Sequence, residues 1–529
     1  MKRVPFAALL VFLLASLMLL AGGRLAPHDE ETLYRMTVNL VEYGQLTLTQ
    51  QTFTVEPQAY PGFLPATQPR TQDTTWTGLG ADGQRYPLYT HAQAVLQAPL
   101  YVLGRIIGGP PTTLTGVLMT RFCVSLLNPI VVALTGWLVA VFAAQWGLSR
   151  RLSAGLGVLY GWGTMAAAYT HTNFSDPLLA LCFTLAAYGL YRAGSDDRLR
   201  WWGLAGAALG SAVYLRERAL IAVPFCLIYA ALARRPGARA WVACLLPLML
   251  GMAAFGVWNW VRFGTLLAIG YADWVPGTGF ETPIVVGVFG LLLSPGKGLL
   301  IYHPVAWLSV IGLIGVVRRR RAEGLLFGAI TLASIVFYAR YNFWTGGWNW
   351  GPRYLLPLLP LWLLAAGDWA QAGSTRRRGW LLILSALTLL INLSAVMVDQ
   401  SRYLVGLGER DPEHYLERTI LRVADSPLTR QWPIVLELAD LYARPATWEA
   451  AQSAIDRHLQ AYRGPAEFES ISTHAMWVDE FFRLNAPDFW FVHLRLLGFS
   501  PLPIALVALG LLAIALIAGA RLIGDLKAG

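Results

Sequence analysis

Apolar runs of roughly 20 residues recur along this chain from Val4 to Ala520, and each is long enough to cross a ~30 Å hydrocarbon core. Inside such a core the backbone N–H and C=O groups have no water to bond to. They must pair within the chain, which leaves helices or a closed barrel, and runs of this length read as helices. Composition agrees: 56% of the 529 residues are hydrophobic and 14% are charged, against about 25% charged in soluble domains. Length therefore counts spans here rather than soluble domains.

A net charge of +10 would by itself raise nucleic acid as a partner. Its distribution removes that reading. Lys and Arg gather in short connectors: Lys2-Arg3, Arg150-Arg151, Arg198 and Arg200, Arg234-Arg235, Arg318 to Arg321, and Arg376 to Arg378. This is the positive-inside pattern, which orients a membrane protein. The two longest polar stretches lean the other way, with seven acids against four arginines in 23–93 and fifteen against ten in 399–500. The basic connectors are expected in the cytoplasm and the acidic stretches outside.

Alternating sides along the chain gives about twelve spans: 4–20, 113–146, 152–169, 177–193, 201–215, 219–233, 240–261, 303–317, 324–340, 354–370, 380–398 and 501–520. The first reads as an uncleaved anchor, because its apolar core exceeds that of a signal peptide. The expected class is mainly α and polytopic, divided into a membrane module (1–398), an outer, mostly helical segment (399–500) and a last span with a cytoplasmic tail (501–529). Within the first outer loop (23–112), Asp29–Val41 and Ala94–Ile107 read as interfacial helices. Ile284–Tyr302 is apolar but broken by Ser294-Pro295-Gly296-Lys297-Gly298, so its irregular backbone must be buried in protein or line a cavity. The four cysteines, Cys123, Cys182, Cys226 and Cys244, lie inside apolar runs without ligand spacing and read as packing residues.

Four groups of residues could carry chemistry. Pro27-His28-Asp29-Glu30-Glu31 follows the first span; adjacent carboxylates can supply a general base, or simply complement a helix dipole. Asp176 stands in His171-Thr172-Asn173-Phe174-Ser175-Asp176-Pro177, where it could equally cap the next helix. Arg85, His91, Arg216, Arg218, Lys297 and Arg353 form a cationic set expected on the outer side, against the positive-inside trend. Charge at a membrane boundary is costly and points to function, and arginine forks suit a phosphate. Last, Trp344-Thr345-Gly346-Gly347-Trp348-Asn349-Trp350-Gly351-Pro352-Arg353-Tyr354 reads as a shaped loop with aromatic faces, and Trp344, Trp348, Tyr354, Tyr86 and Tyr89 are candidates to line a substrate. There is no nucleotide-binding glycine loop and no zinc or serine-hydrolase motif. Two carboxylates could hold a divalent ion, but no ligand spacing supports one.

The order of these features resembles the GT-C membrane glycosyltransferases, specifically the bacterial relatives of protein O-mannosyltransferases and lipid A aminoarabinose transferases. The resemblance rests on the acidic pair after span one, Tyr86-Pro87-Leu88-Tyr89-Thr90-His91-Ala92-Gln93-Ala94, Ala98–Tyr101, Asp176, Ser294–Gly298 with Tyr302-His303-Pro304, and Gly346–Tyr354. It covers roughly residues 1–370. It implies an inverting transfer of a sugar from a polyprenyl-phosphate donor to a lipid, glycan or protein acceptor, on the outer face of a bacterial cytoplasmic membrane. By motif, Asp29 takes the place of the catalytic acid, Glu30 its neighbour, and Asp176 the second acid near the donor. No cofactor is required in the resembled subgroup. Relatives often carry Lys before the Pro-Leu element, where this chain offers Arg85 and His91, so the phosphate contact stays open among the cations. The competing classes are a transporter or flippase, which would place charges at the midplane between related halves, and a non-catalytic component of envelope glycan assembly.

Overall fold

The computed structural model describes residues 6–26, 29–48, 52–54, 63–64, 71–73, 76–196, 198–267, 279–408, 413–461 and 468–528. His28 lies outside them. The described chain is mainly helical; its strands are two antiparallel pairs in the first outer loop, Thr52–Thr54 with Thr71–Asp73 and Thr77–Leu79 with Arg85–Pro87.

Five helices among the described residues are long and apolar enough to cross a membrane: Leu114–Gln145, Ala238–Phe263, Arg321–Arg340, Thr375–Met397 and Pro501–Lys527. The other expected spans fall on helical runs that are shorter or interrupted. Ala7–Leu19 has 13 residues and Ala306–Arg319 has 14. The stretch around Arg216 breaks into a 3-10 turn, Glu217–Ile221, before Val223–Tyr229. Outward faces are apolar where lipid would lie: Val242, Leu246, Met249, Leu250, Val257 and Trp260 on one helix, Leu382, Ile383 and Leu390 on another. Such large exposed apolar bands are what a bilayer, rather than water, accommodates. These helices support a multi-pass membrane protein.

Small residues let the helices approach closely, as packing inside lipid requires. A Cβ on Gly206 would meet the Cys244 carbonyl oxygen at 1.8 Å, and one on Gly251 the Gly210 oxygen at 2.3 Å. Helices Leu199–Leu215 and Ala238–Phe263 therefore touch backbone to backbone. All four cysteines are buried and unbridged, with Cys244 at this crossing.

Two cores result. The larger one joins the membrane helices. The second is shared: Leu25, Tyr34, Val38, Tyr101, Val117 and Val124 from the first 125 residues pack with Val435, Leu438, Ile455, Trp477, Val478 and Phe481. The segment 399–500 is thus built onto the start of the chain. That has a consequence for the helix Asp29–Val38, whose apolar stripe suggests it should lie along the membrane surface. Every residue from Glu30 to Val38 is buried, Leu33 and Met36 against Leu48, Tyr89 and Ala94, and Glu31 and Tyr34 against Ser472 and Phe468 of the segment 468–485. Ala92–Gly108 does keep an exposed apolar face, with Val95, Leu96, Val102, Leu103, Ile106 and Ile107 open.

Candidate active site

The acidic helix sends its three carboxylates in different directions. Asp29, at the first position, remains 19% exposed. Its Oδ1 accepts from the Tyr89 hydroxyl at 2.5 Å, and Arg353 Nη1 stands 3.8 Å from its Oδ2. Glu31 is fully buried, with Arg35 and Arg121 each at 2.6 Å and the Ser472 hydroxyl donating at 3.0 Å. Burial alone would raise its pKa, but Arg121 and Arg35 hold it down at about 2. It is a structural anion.

Glu30 is the third. It is fully buried, and its Oε2 accepts from the Ala26 amide at 2.8 Å. Burial pushes its carboxyl up to about 7, the Ala26 amide opposing. Between its ordinary value near 4.5 and about 7, the folded chain therefore binds more protons than the unfolded one, so stability falls as pH rises through that window. Glu30→Gln should remove the loss. Unfolding free energies from melts in detergent should separate in favour of Gln as pH rises, levelling above about pH 7, by on the order of 1–3 kcal/mol. Parallel melting curves from pH 5 to 8 for the two proteins would count against a protonatable Glu30.

Asp29 belongs to a closed ring of contacts drawn from five parts of the chain. Tyr89, which donates to Asp29, lies under the Arg216 guanidinium at 4.3 Å. Arg216 Nε donates to the Ser175 hydroxyl at 2.8 Å. The next residue, Asp176, is buried and ion-paired with Arg218. Arg218 in turn lies 5.0 Å over the Tyr354 ring. Arg353 precedes Tyr354, stacks over Phe174 at 4.6 Å and returns to Asp29. Three guanidinium groups and two carboxylates thus face one another, leaving one positive charge in excess. Asp176 lies in the first turn of its helix, Asp176–Ala193, but spends its carboxylate on Arg218.

Glycine makes the fourth motif possible. Gly346, Gly347 and Gly351 have φ of 71°, 83° and 62°, a left-handed backbone that other residues adopt only at a cost. The resulting loop turns its carbonyls inward onto Lys297, whose ammonium donates to Gly347 O at 2.9 Å, to Asn349 O, and reaches Asn349 Oδ1 at 3.3 Å. An ammonium has three donors, so Lys297 acts first as a pin under the loop that carries Arg353. The irregular Ser294–Gly298 turn is buried in protein, with Gly296 N bonded to Ile420 O at 3.1 Å and the Ser426 hydroxyl to Pro295 O at 2.6 Å.

The remaining expected site residues stand outside the ring. Arg85 is exposed on its strand and reaches Thr77 at 3.5 Å. His91 is buried against Trp258 at 4.1 Å; burial and then Arg262 push its imidazole down to about 3. It stays neutral at pH 7 and offers a phosphate no charge. Tyr86 is buried and donates to Asp82 at 2.8 Å. Trp344 packs against Gly290, while Trp348 is exposed.

A second network escapes the sequence motifs. Arg24, 1% exposed, bonds Asp488 through two nitrogens at 2.8 and 2.6 Å and Asp399 at 2.7 Å. Arg121 joins Glu31 to Asp479, at 2.8 Å from the latter. His171, in the loop before Asp176, is 3.2 Å from Asp488. These links tie the acidic helix and the Asp176 loop to the segment 399–500. Arg121 carried a readable signal, since it is a charge inside an apolar run. Asp479 and Asp488 carried none among fifteen acids. Among the described residues, no three His, Cys, Asp or Glu side chains stand together as a metal site would need.

Residues 111–260 match the family described as dolichyl-phosphate-mannose-protein mannosyltransferase, over less than a third of the chain. This match, on a mainly helical chain with apolar outward faces, supports the resemblance to membrane glycosyltransferases of the GT-C class. Two solved structures are similar in arrangement at 15% identity: ArnT from Cupriavidus metallidurans bound to undecaprenyl phosphate (TM-score 0.46, covering 93% of this chain and 77% of that one), and the same protein in the apo state (TM-score 0.44, 93% and 76%). No curated protein matches the chain significantly.

Proposed function

We propose that this chain is an inverting glycosyltransferase that moves a sugar from a polyprenyl-phosphate donor to an acceptor hydroxyl at the outer membrane face. The ring joining Asp29 to Arg353, Arg218 and Arg216 carries this reading. It puts one partly exposed carboxylate next to a surplus of guanidinium charge. The family matched by residues 111–260 is named for a sugar on dolichyl phosphate, the same chemical type of donor.

In the proposed step the acceptor oxygen attacks the anomeric carbon from the face opposite the phosphate. The bond between that carbon and the phosphate oxygen breaks, the polyprenyl phosphate leaves with the electron pair, and the acceptor proton passes to Asp29. A carboxylate in this role contributes general-base catalysis. Arg353 and Arg218, with side chains 12% and 15% exposed, stabilise the charge that grows on the departing phosphate. Asp176 neutralises part of that cationic set and orients Arg218. Asp29 acting as a base suits one displacement with inversion, whereas retention would ask for a second carboxyl as nucleophile.

The test uses purified protein in liposomes with labelled polyprenyl-phosphate hexoses and pentoses and a panel of lipid and glycan acceptors. Transfer with a product of inverted anomeric configuration is expected. Arg353→Ala should raise the donor KM and lower kcat together, a combined loss in kcat/KM of about 10²-fold or more. Movement of the donor across the bilayer with its sugar–phosphate bond intact would identify a transporter instead. The topology belongs to the same reading: a cysteine placed at Glu413 should react with an impermeant thiol reagent in intact cells, and one at Arg377 should not.

A further inference from the structure

A buried arginine that the proposed reaction does not use sits behind the ring. Arg262, at the end of helix Ala238–Phe263, is 1% exposed. Among the described residues no carboxylate lies within ion-pair distance of it. Its donors go to uncharged acceptors: Nη1 to Pro87 O and, at 3.2 Å, to Tyr89 O, and Nη2 to Asn259 Oδ1 at 2.6 Å. Trp258, one turn earlier, donates its indole N–H to the same Tyr89 carbonyl at 3.3 Å and lies 4.8 Å under the guanidinium. Glu217 acts on Arg262 only from beyond ion-pair distance, and burying a cation so weakly compensated is costly. Here the arginine grips the backbone of one short stretch, 87–89, on both sides of Leu88.

We propose that Arg262 and Trp258 are positioning residues for the proposed base, acting through Tyr89. The backbone of Tyr89 is fixed from behind by the carbonyl clamp. Thr90 fixes it from the side, its hydroxyl donating to Tyr214 O at 2.6 Å. With the backbone held there, the phenol O–H meets Asp29 Oδ1 at 2.5 Å, and a shift of the backbone would carry the hydroxyl away from the carboxylate. The ring face of Tyr89 carries Arg216 at the same time. One side chain therefore sets the distance between the carboxylate that takes the proton and a cation assigned to the phosphate. The clamp comes from a helix some 170 residues further along the chain, so it couples the first outer loop to the membrane module.

The kinetic part of this inference rests on Asp29 being the base, whereas the structural part does not. The test is accordingly double. In the purified full chain with 3-fluorotyrosine at position 89, the fluorine resonance reads the phenol's surroundings without any substrate. Asp29→Asn should move it, because the phenol then faces a neutral amide oxygen in place of a negative carboxylate; Arg262→Gln should move or broaden it, and Arg262→Lys should lie between. In transfer from a labelled polyprenyl-phosphate sugar, Tyr89→Phe keeps the ring for Arg216 and removes only the hydroxyl. It should lower kcat about ten- to a hundredfold with donor KM within about twofold of wild type. Arg262→Gln should lower kcat in the wild-type background but add little, less than about twofold, to Tyr89→Phe. An unmoved resonance in Asp29→Asn overturns the contact. Equal losses from Arg262→Gln in both backgrounds overturn the relay and leave Arg262 a purely structural residue. If the resonance responds as expected and no variant or wild type transfers sugar, the glycosyltransferase reading fails while the positioning of Asp29 stands.

Discussion

Asp29→Asn should lower turnover by about 10²–10⁴-fold, the range that a positioned general base contributes. The amide is isosteric with the carboxylate. Its oxygen can still accept from the Tyr89 hydroxyl, so the contact at 2.5 Å need not break. What it loses is the ability to take the acceptor's proton, and the charge that faces Arg353. Donor binding should therefore survive, and tighten slightly as the guanidinium is released toward the phosphate. Asp176→Asn should behave differently. Asp176 is buried and pairs with Arg218, so its neutralisation disturbs the cation that holds the donor, and donor affinity should fall along with turnover. The checking measurement is steady-state transfer with independent donor binding for both variants. Wild-type turnover in Asp29→Asn would remove it as the base. Lost donor binding in that variant would reassign it to holding the substrate.

The second large effect concerns Arg121. Its guanidinium lies between Glu31 and Asp479, and all three side chains are 5% exposed or less. Arg121→Met leaves two carboxylates buried without their shared partner, which should cost about 3–5 kcal/mol. The melting temperature in detergent should fall accordingly. Turnover should fall too, since Glu31 anchors the helix whose first residue is Asp29. Replacing Asp479 as well, as Arg121→Met with Asp479→Leu, removes the stranded carboxylate while Glu31 keeps its pair with Arg35 at 2.6 Å, and should recover much of the stability. If the single variant melts with the wild type, the network does not hold the acidic helix. If the double variant is as unstable as the single one, packing rather than charge accounts for the loss.

Much of this protein is written locally in its sequence. Apolar runs fix where helices form, because a backbone in hydrocarbon must satisfy its own hydrogen bonds. The glycines of 346–351 announce a shaped loop, since their φ values are open to few other residues. Asp29, Asp176 and Arg353 are legible for a related reason: charge at a membrane boundary is expensive enough to ask for an explanation. Tertiary structure decided what each charge does. Sequence spacing places Asp29, Glu30 and Glu31 side by side with equal claims. Only the fold shows one carboxylate partly open in a ring of cations, one buried against the Ala26 amide, and one locked between Arg35 and Arg121. Arg85 and His91 read as donor contacts by their position beside the Pro-Leu element, yet strand geometry turns the first to solvent and burial keeps the second neutral. Likewise the stripe on Asp29–Val38 fits a helix on a surface. Nothing in those ten residues records that residues 468–485, more than 400 positions later, will pack against the helix. Local propensity is set by neighbours in the chain, whereas the roles of buried charges are set by whichever distant groups share their low-dielectric surroundings.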